Sequence, residues 1–222
     1  MPPRIVDLSL TLRRGMRGVE WETACTFERD GWNSRNLHLY SHAGTHMDAP
    51  VHFAAGPQSI DQIPLDSFMG PAWVADLPGI APRALIELAH LGDLPAKFQP
   101  GESLILRTGW SRFVEEPAVY RDGLPRLSEG LARWCVSRKV KMIGIEPPSV
   151  AEIESAPEVT RIHQILLSGG VVIVEGLANL EALQKAKVFF VALPLKIEGG
   201  DGSPCRALAV EDESWTLNAL RT

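Results

Sequence analysis

The feature that most constrains this fold is the shortness of its apolar runs. The longest span residues 171–174 and 188–193. A membrane-spanning helix needs about 20 apolar residues, so no membrane span is expected. Comparable short runs occupy residues 5–10, 103–107 and 141–145, and Leu37 and Leu39 alternate with His38 and Tyr40. Short runs rich in Val and Ile with turn residues at both ends predict buried strands. Helix signals lie between them. Pro82 opens residues 84–91, with Gly92 as a stop, and Ser128 can cap a helix running to about Arg138. Shorter helices are predicted over residues 161–167, ended by Ser168-Gly169-Gly170, and over residues 179–185. Strands interleaved with helices give an α/β or α+β class. Abundant glycine and proline also fit a mixed sheet that curls toward a barrel with helices around it. The pattern leaves the topology open. No repeat or linker divides the chain, so residues 1–222 are expected to form one domain.

Composition narrows the function classes. At 45% apolar, the chain can build a packed core, and 22 basic against 27 acidic residues leave a formal charge of −5. That balance excludes the basic footprint of a nucleic-acid binder and leaves a small-molecule site open. Cys25, Cys135 and Cys205 show no C-x-x-C spacing, so reduced thiols in a cytoplasmic protein are expected. No secretory signal is expected from the N-terminal residues. There is no Gly-x-Ser-x-Gly elbow and no phosphate-binding loop motif.

The chemical centre is residues 42–53, where His42, His46, Asp48 and His52 fall within eleven positions. Half of the six histidines sit here. Imidazole and carboxylate are the ligands that divalent ions such as zinc accept. Gly44 and Pro50 argue against a helix here. In an extended chain the four side chains share one parity, but a straight strand would spread His42 and His52 over about 33 Å. The chain must therefore bend, and Gly44 and Pro50 sit where bends would serve. His46 and Asp48, two apart, can converge on one ion. Farther along, His163 lies in a helical stretch and Glu175 ends the run 171–174. Glu175 is either buried and paired, because a lone buried carboxylate is costly, or emerges into solvent where the strand stops.

The segment His-x-Gly-Thr-His-x-Asp-x-Pro-x-His-Phe at 42–53 resembles the signature of the metal-dependent cyclase family, which includes arylformamidases and isatin hydrolases. The spacing of His163 to Glu175-Gly176-Leu177 resembles the same family, as does the tail 194–204. The resemblance implies that His42, His46 and Asp48 hold a metal. It also implies that His163 and Glu175 complete a second site with Asp48 shared, and that His52 moves protons. It implies zinc, with manganese as the alternative, one or two ions per chain, and a small-molecule substrate. The implied architecture is the family's barrel-like (swivelling β/β/α) arrangement, in a homodimer or tetramer. The implied reaction is hydrolysis of an amide C–N bond in an aryl formamide or cyclic amide. Ring closure at the same centre, or a non-catalytic metal-binding relative, are the alternatives. Glu146 stands where many relatives carry aspartate, and it is left outside the expected site. The glycine-rich stretch around Asp201 is expected to be a structural turn. Residues 13–35 carry no matching motif. Trp21, Phe27, Trp32 and Trp73 read as surface-loop anchors, or alternatively as the lining of an aromatic pocket. His38 and His90 are expected to be structural.

Overall fold

The computed structural model describes residues 3–211. In chain order the strands are β1 (Arg4–Asp7), β2 (Val19–Cys25), β3 (Ser34–Leu39), β4 (His46–Asp48), β5 (Met69–Asp76), β6 (Leu85–Ile86), β7 (Ser103–Arg107), β8 (Arg126–Leu127), β9 (Met142–Ile145), β10 (Val172–Glu175), β11 (Lys187–Pro194) and β12 (Gly202–Glu211). The helices are α1 (Phe27–Asp30), α2 (Leu94–Lys97), α3 (Pro117–Asp122), α4 (Glu129–Ser137) and α5 (Ala156–Ser168).

The main sheet runs β1-β12-β11-β5-β7-β9-β10-β4, and β4 pairs in turn with β12. That last pairing closes seven strands into a barrel, with β1 lying on the edge of β12. Strand β12 is long enough to do both jobs. Its first residues, 202–204, pair with β4, and residues 208–211 pair with β1. Strands β5, β7, β9 and β10 run parallel, and the remaining contacts are antiparallel. The sheet is therefore mixed, and the expected α/β class with a barrel-like sheet is what forms.

Successive side chains alternate across the barrel wall. Met47, Ile105, Met142, Val174, Phe190 and Ala209 meet inside the barrel. Their neighbours Leu104, Leu106, Ile143, Ile145 and Ile173 face outward and pack with Leu131 and Cys135 of α4 and Ile162 and Leu166 of α5. Both faces of β7, β9 and β10 are thus covered, which is why those strands read as unbroken apolar runs.

Three expectations are corrected. Residues 84–91 are not a helix. Leu85 and Ile86 pair in parallel with Arg126 and Leu127, and only a 3-10 turn, Leu88–Leu91, follows. Ile86 is drawn into the outer core, so strand pairing and burial override helix propensity. Residues 179–185 hold a single 3-10 turn, Leu180–Ala182. The Leu180 carbonyl accepts from Leu183 N–H at 3.1 Å and from the Arg107 guanidinium at 3.2 Å, and Arg107 also takes the Leu183 carbonyl at 2.9 Å, which holds the segment at one turn. The strand around Leu37 and Leu39 is not buried. β2 and β3 form a separate two-stranded ribbon on which Leu37 is exposed.

Candidate metal centre

The centre is built on the outer face of β4. His46 and Asp48 point to one side, and Met47 between them enters the barrel. On β10, Glu175 stands opposite His46 and Ile173 opposite Asp48. Glu175 therefore shares the outward face, beneath α5. From that helix His163 comes down, and its Nε2 lies 3.4 Å from both Asp48 Oδ2 and Glu175 Oε1. Two backbone carbonyls set the rings. His163 Nδ1 donates to Val159 O at 2.7 Å, and His46 Nδ1 donates to Gly44 O at 2.9 Å. In each case Nε2 is turned toward the carboxylates, and His46 Nε2 is 3.2 Å from Glu175 Oε2. Such bonds to the far nitrogen are how ligating histidines are oriented. Glu175 is itself held by the backbone N–H of Val150 at 2.7 Å.

The bends expected at Gly44 and Pro50 are present. Gly44 has φ +61, and Thr45 locks the turn by donating to Gly176 O and accepting from Leu10 N–H. Pro50 opens the 3-10 turn Pro50–Phe53. This brings His52 back to stack on His42 with ring centres 3.9 Å apart. His42 Nδ1 lies 2.9 Å from Asp48 Oδ1. Phe53 stacks on His163 at 4.2 Å, and its carbonyl accepts from Gln164 of α5. All six sequence-derived site residues therefore converge, with Asp48 at the centre. His163 meets Asp48 and Glu175, the trio that the resemblance implies for a second ion. His46 lies with Asp48 and Glu175, while His42 lies with Asp48 and His52.

Charge explains the titration behaviour of these groups. Burial pushes the His42 imidazolium down, but Asp48 and Asp201 outweigh it and raise the pKa to about 9. His46 and His163 are likewise raised, because Glu175 and Asp48 overcome burial. Burial pushes the Glu175 carboxyl up, yet His163 and His46 hold it well below the usual range. His52 moves the other way. Burial lowers it, and His42 and His163 add to that against the pull of Asp48.

This donor set fits a divalent cation. Asp48 Oδ2 is buried and has no hydrogen-bond partner, an arrangement that is costly unless a cation meets the oxygen. Imidazole nitrogens and carboxylate oxygens within 4.8 Å of one another form two overlapping triads that share Asp48.

Sequence reasoning missed Asp201. It does lie in a turn, but its Oδ2 is 3.0 Å from His42 Nε2 and 3.4 Å from His52 Nδ1. Its only signal was a carboxylate inside a glycine-rich stretch. Glu146 is fully buried and accepts from the N–H groups of Thr108 and Gly109 and from Ser111 Oγ. Its carboxylate is held by this loop and, among the described residues, takes no contact from the clustered histidines. Trp73 is half-buried, with its indole N–H on Glu102, while Phe27 and Trp32 are exposed near the β2–β3 ribbon. His38 and His90 lie outside the centre, and His90 accepts from the backbone N–H of Glu87.

Comparison with known proteins places the chain in a family. A family model described as putative cyclase matches residues 6–152. The chain belongs to the cyclase family. This cyclase-family chain is 33% identical over 207 residues to a kynurenine formamidase of Salinibacter ruber (strain DSM 13855 / M31), covering 92% of this chain and 93% of that protein. It is also 33% identical over 216 residues to a kynurenine formamidase of Erythrobacter litoralis (strain HTCC2594), covering 94% of each. Isatin hydrolase A from Ralstonia solanacearum superposes with a TM-score of 0.85 at 26% identity, covering 95% of this chain and 92% of that one. The barrel is therefore a cyclase-family barrel, and its cluster of imidazoles and carboxylates could hold a divalent metal. No helix among the described residues is long and apolar enough to cross a membrane.

Proposed function

We propose that this chain is a metal-dependent hydrolase that cleaves the C–N bond of a small aryl formamide or cyclic amide with water. The observation that carries the reading is the convergence of four imidazoles and two carboxylates around Asp48 on the outer barrel wall. The formamidase and isatin hydrolase relatives support the substrate class.

His42, His46, Asp48, His163 and Glu175 would hold the metal, with Asp48 shared if two ions bind. When bound, a divalent ion polarises the scissile carbonyl and lowers the pKa of water toward about 7. The mixed imidazole–carboxylate set favours zinc, with manganese as the alternative. The ligand side chains are 1–8% exposed and His52 is 24% exposed. That difference fits a group that meets substrate. Because its pKa is lowered, His52 is neutral at pH 7. It accepts a proton as water adds to the carbonyl carbon and delivers it to nitrogen as the C–N bond breaks. Phe53, seated against His52 and His163, supplies an aromatic wall for an aryl substrate.

The chain is read as one domain acting in a homodimer or tetramer. The exposed Phe27, Trp32 and Leu37 support self-association. A cytoplasmic setting is supported by the three free thiols.

The test is elemental analysis of protein purified without added metal, paired with turnover assays on N-formylkynurenine and isatin. One or two equivalents of zinc or manganese per chain, and hydrolysis that chelators abolish, are expected. Folded protein that is metal-free and indifferent to added metal would sink the reading. His52→Ala is expected to keep its metal and lose about 10²–10⁴-fold in kcat.

A further inference from the structure

We propose that Asp201 is a positioning residue that fixes the tautomer of His52, keeping the proton on Nδ1 and leaving Nε2 free to carry the reaction's proton. The inference rests on the reading of His52 as the acid–base group.

Asp201 is the last residue before β12, and its backbone is held on both sides. Its carbonyl accepts from Ala49 N–H at 2.9 Å, and the preceding Gly200 carbonyl accepts from Ile60 N–H at 2.9 Å. The following Gly202 pairs with Asp48 and has no room for a side chain. A Cβ there would lie 2.6 Å from His42 Cε1 and from Met47 O. The carboxylate therefore projects from a fixed point. One of its oxygens, Oδ2, meets both members of the stacked imidazole pair, at His42 Nε2 and His52 Nδ1. An ionised carboxylate only accepts hydrogen bonds. At 3.4 Å its negative charge favours a proton on the nitrogen of His52 that faces it, so neutral His52 carries its proton on Nδ1 and a lone pair on Nε2. The polar side-chain contact of His52 is made by Nδ1 and not by Nε2. The Asp201 side chain is 47% exposed. An ion pair that wet contributes little to folding, so stability alone gives a poor account of its placement.

In the reaction, water forms the new C–O bond and its proton passes to His52 Nε2 while Nδ1–H stays on Asp201. The same proton then leaves Nε2 for the departing nitrogen as the C–N bond breaks. With the tautomer reversed, Nε2 already carries a hydrogen and cannot accept. An asparagine at this position can donate to Nδ1 and so favours the reversed form.

The experiment uses the full-length, metal-loaded chain with Asp201→Asn, Asp201→Glu and His52→Ala. For D201N, kcat is expected to fall about 10–100-fold with KM and bound metal unchanged, and D201E to recover part of the loss. Nitrogen-15 spectra of the zinc-loaded protein should report the Nδ1–H form of His52 in the wild type and its loss in D201N. The proposal is overturned if D201N keeps wild-type kcat, if excess metal restores kcat (so that Asp201 acts only through His42), or if the His52 tautomer is unchanged. If H52A still turns over, the reading of His52 itself has failed. If H52A is dead and D201N is active, only the present inference has.

Discussion

At the residue scale, the site depends on glycines as well as on ligands. Gly176 has φ +67, and a Cβ added there would sit 2.5 Å from the Gly44 carbonyl oxygen. That carbonyl is the acceptor that orients His46. Gly176→Ala is therefore expected to destabilise the fold by more than about 1 kcal/mol and to weaken metal binding together with stability. Thermal unfolding with and without added metal checks both. The ligand types were legible because His and Asp at this density have few structural uses. The two outcomes left open for Glu175 were not separable in the sequence. A carboxylate after an apolar strand looks the same whether it emerges or turns under a helix, and only the register against His46 buries it. Asp201 was illegible because its partners are some 150 residues away along the chain.

At the element scale, the ends of α4 were read well, the start of α5 was expected five residues too late, at Arg161, and short elements were read poorly. Ser128 caps α4, accepting from Leu131 N–H at 3.1 Å. Ser128→Ala should cost about 1 kcal/mol in urea unfolding and leave metal content untouched, since α4 carries no site residue. A cap is a local device, visible within four residues. Residues 84–91 misled for the opposite reason. Their helical pattern is local, but the partner that makes Leu85–Ile86 a strand is Arg126–Leu127, far along the chain. Strand β4 is three residues long and is stabilised by β10 on one side and β12 on the other, so nothing local could announce it as the wall of a barrel.

At the scale of the whole molecule, the centre couples folding to protons and metal. In the metal-free protein His42 is raised from 6.5 to about 9. A raised histidine contributes stability that is fully present below pH 6.5 and is lost as pH rises through about 9. His46 and His163 act with the same sign, and His52, lowered, acts with the opposite one. The urea midpoint of chelated protein is therefore expected to fall as pH rises from 6.5 through about 9, a window set by the His42 values. Metal-loaded protein should be more stable throughout and flatter over that range, because the ion stands in for the imidazolium protons. Loading at pH 7 should release protons, which calorimetry in buffers of different ionisation enthalpy measures. A flat midpoint in the chelated protein would show that the carboxylates do not hold these protons.

The amino-acid sequence by itself determined the candidate donor residues, the need for bends at Gly44 and Pro50, the strands buried on both faces and a class in which strands and helices alternate. Each of these is a matter of residue type or short-range periodicity. Only the tertiary structure decided that the barrel closes through β12 and β4, that the centre lies outside the barrel beneath α5, and that Asp201 joins the stacked histidines. Those facts depend on which distant backbone segments exchange hydrogen bonds, and side-chain identity does not encode that locally.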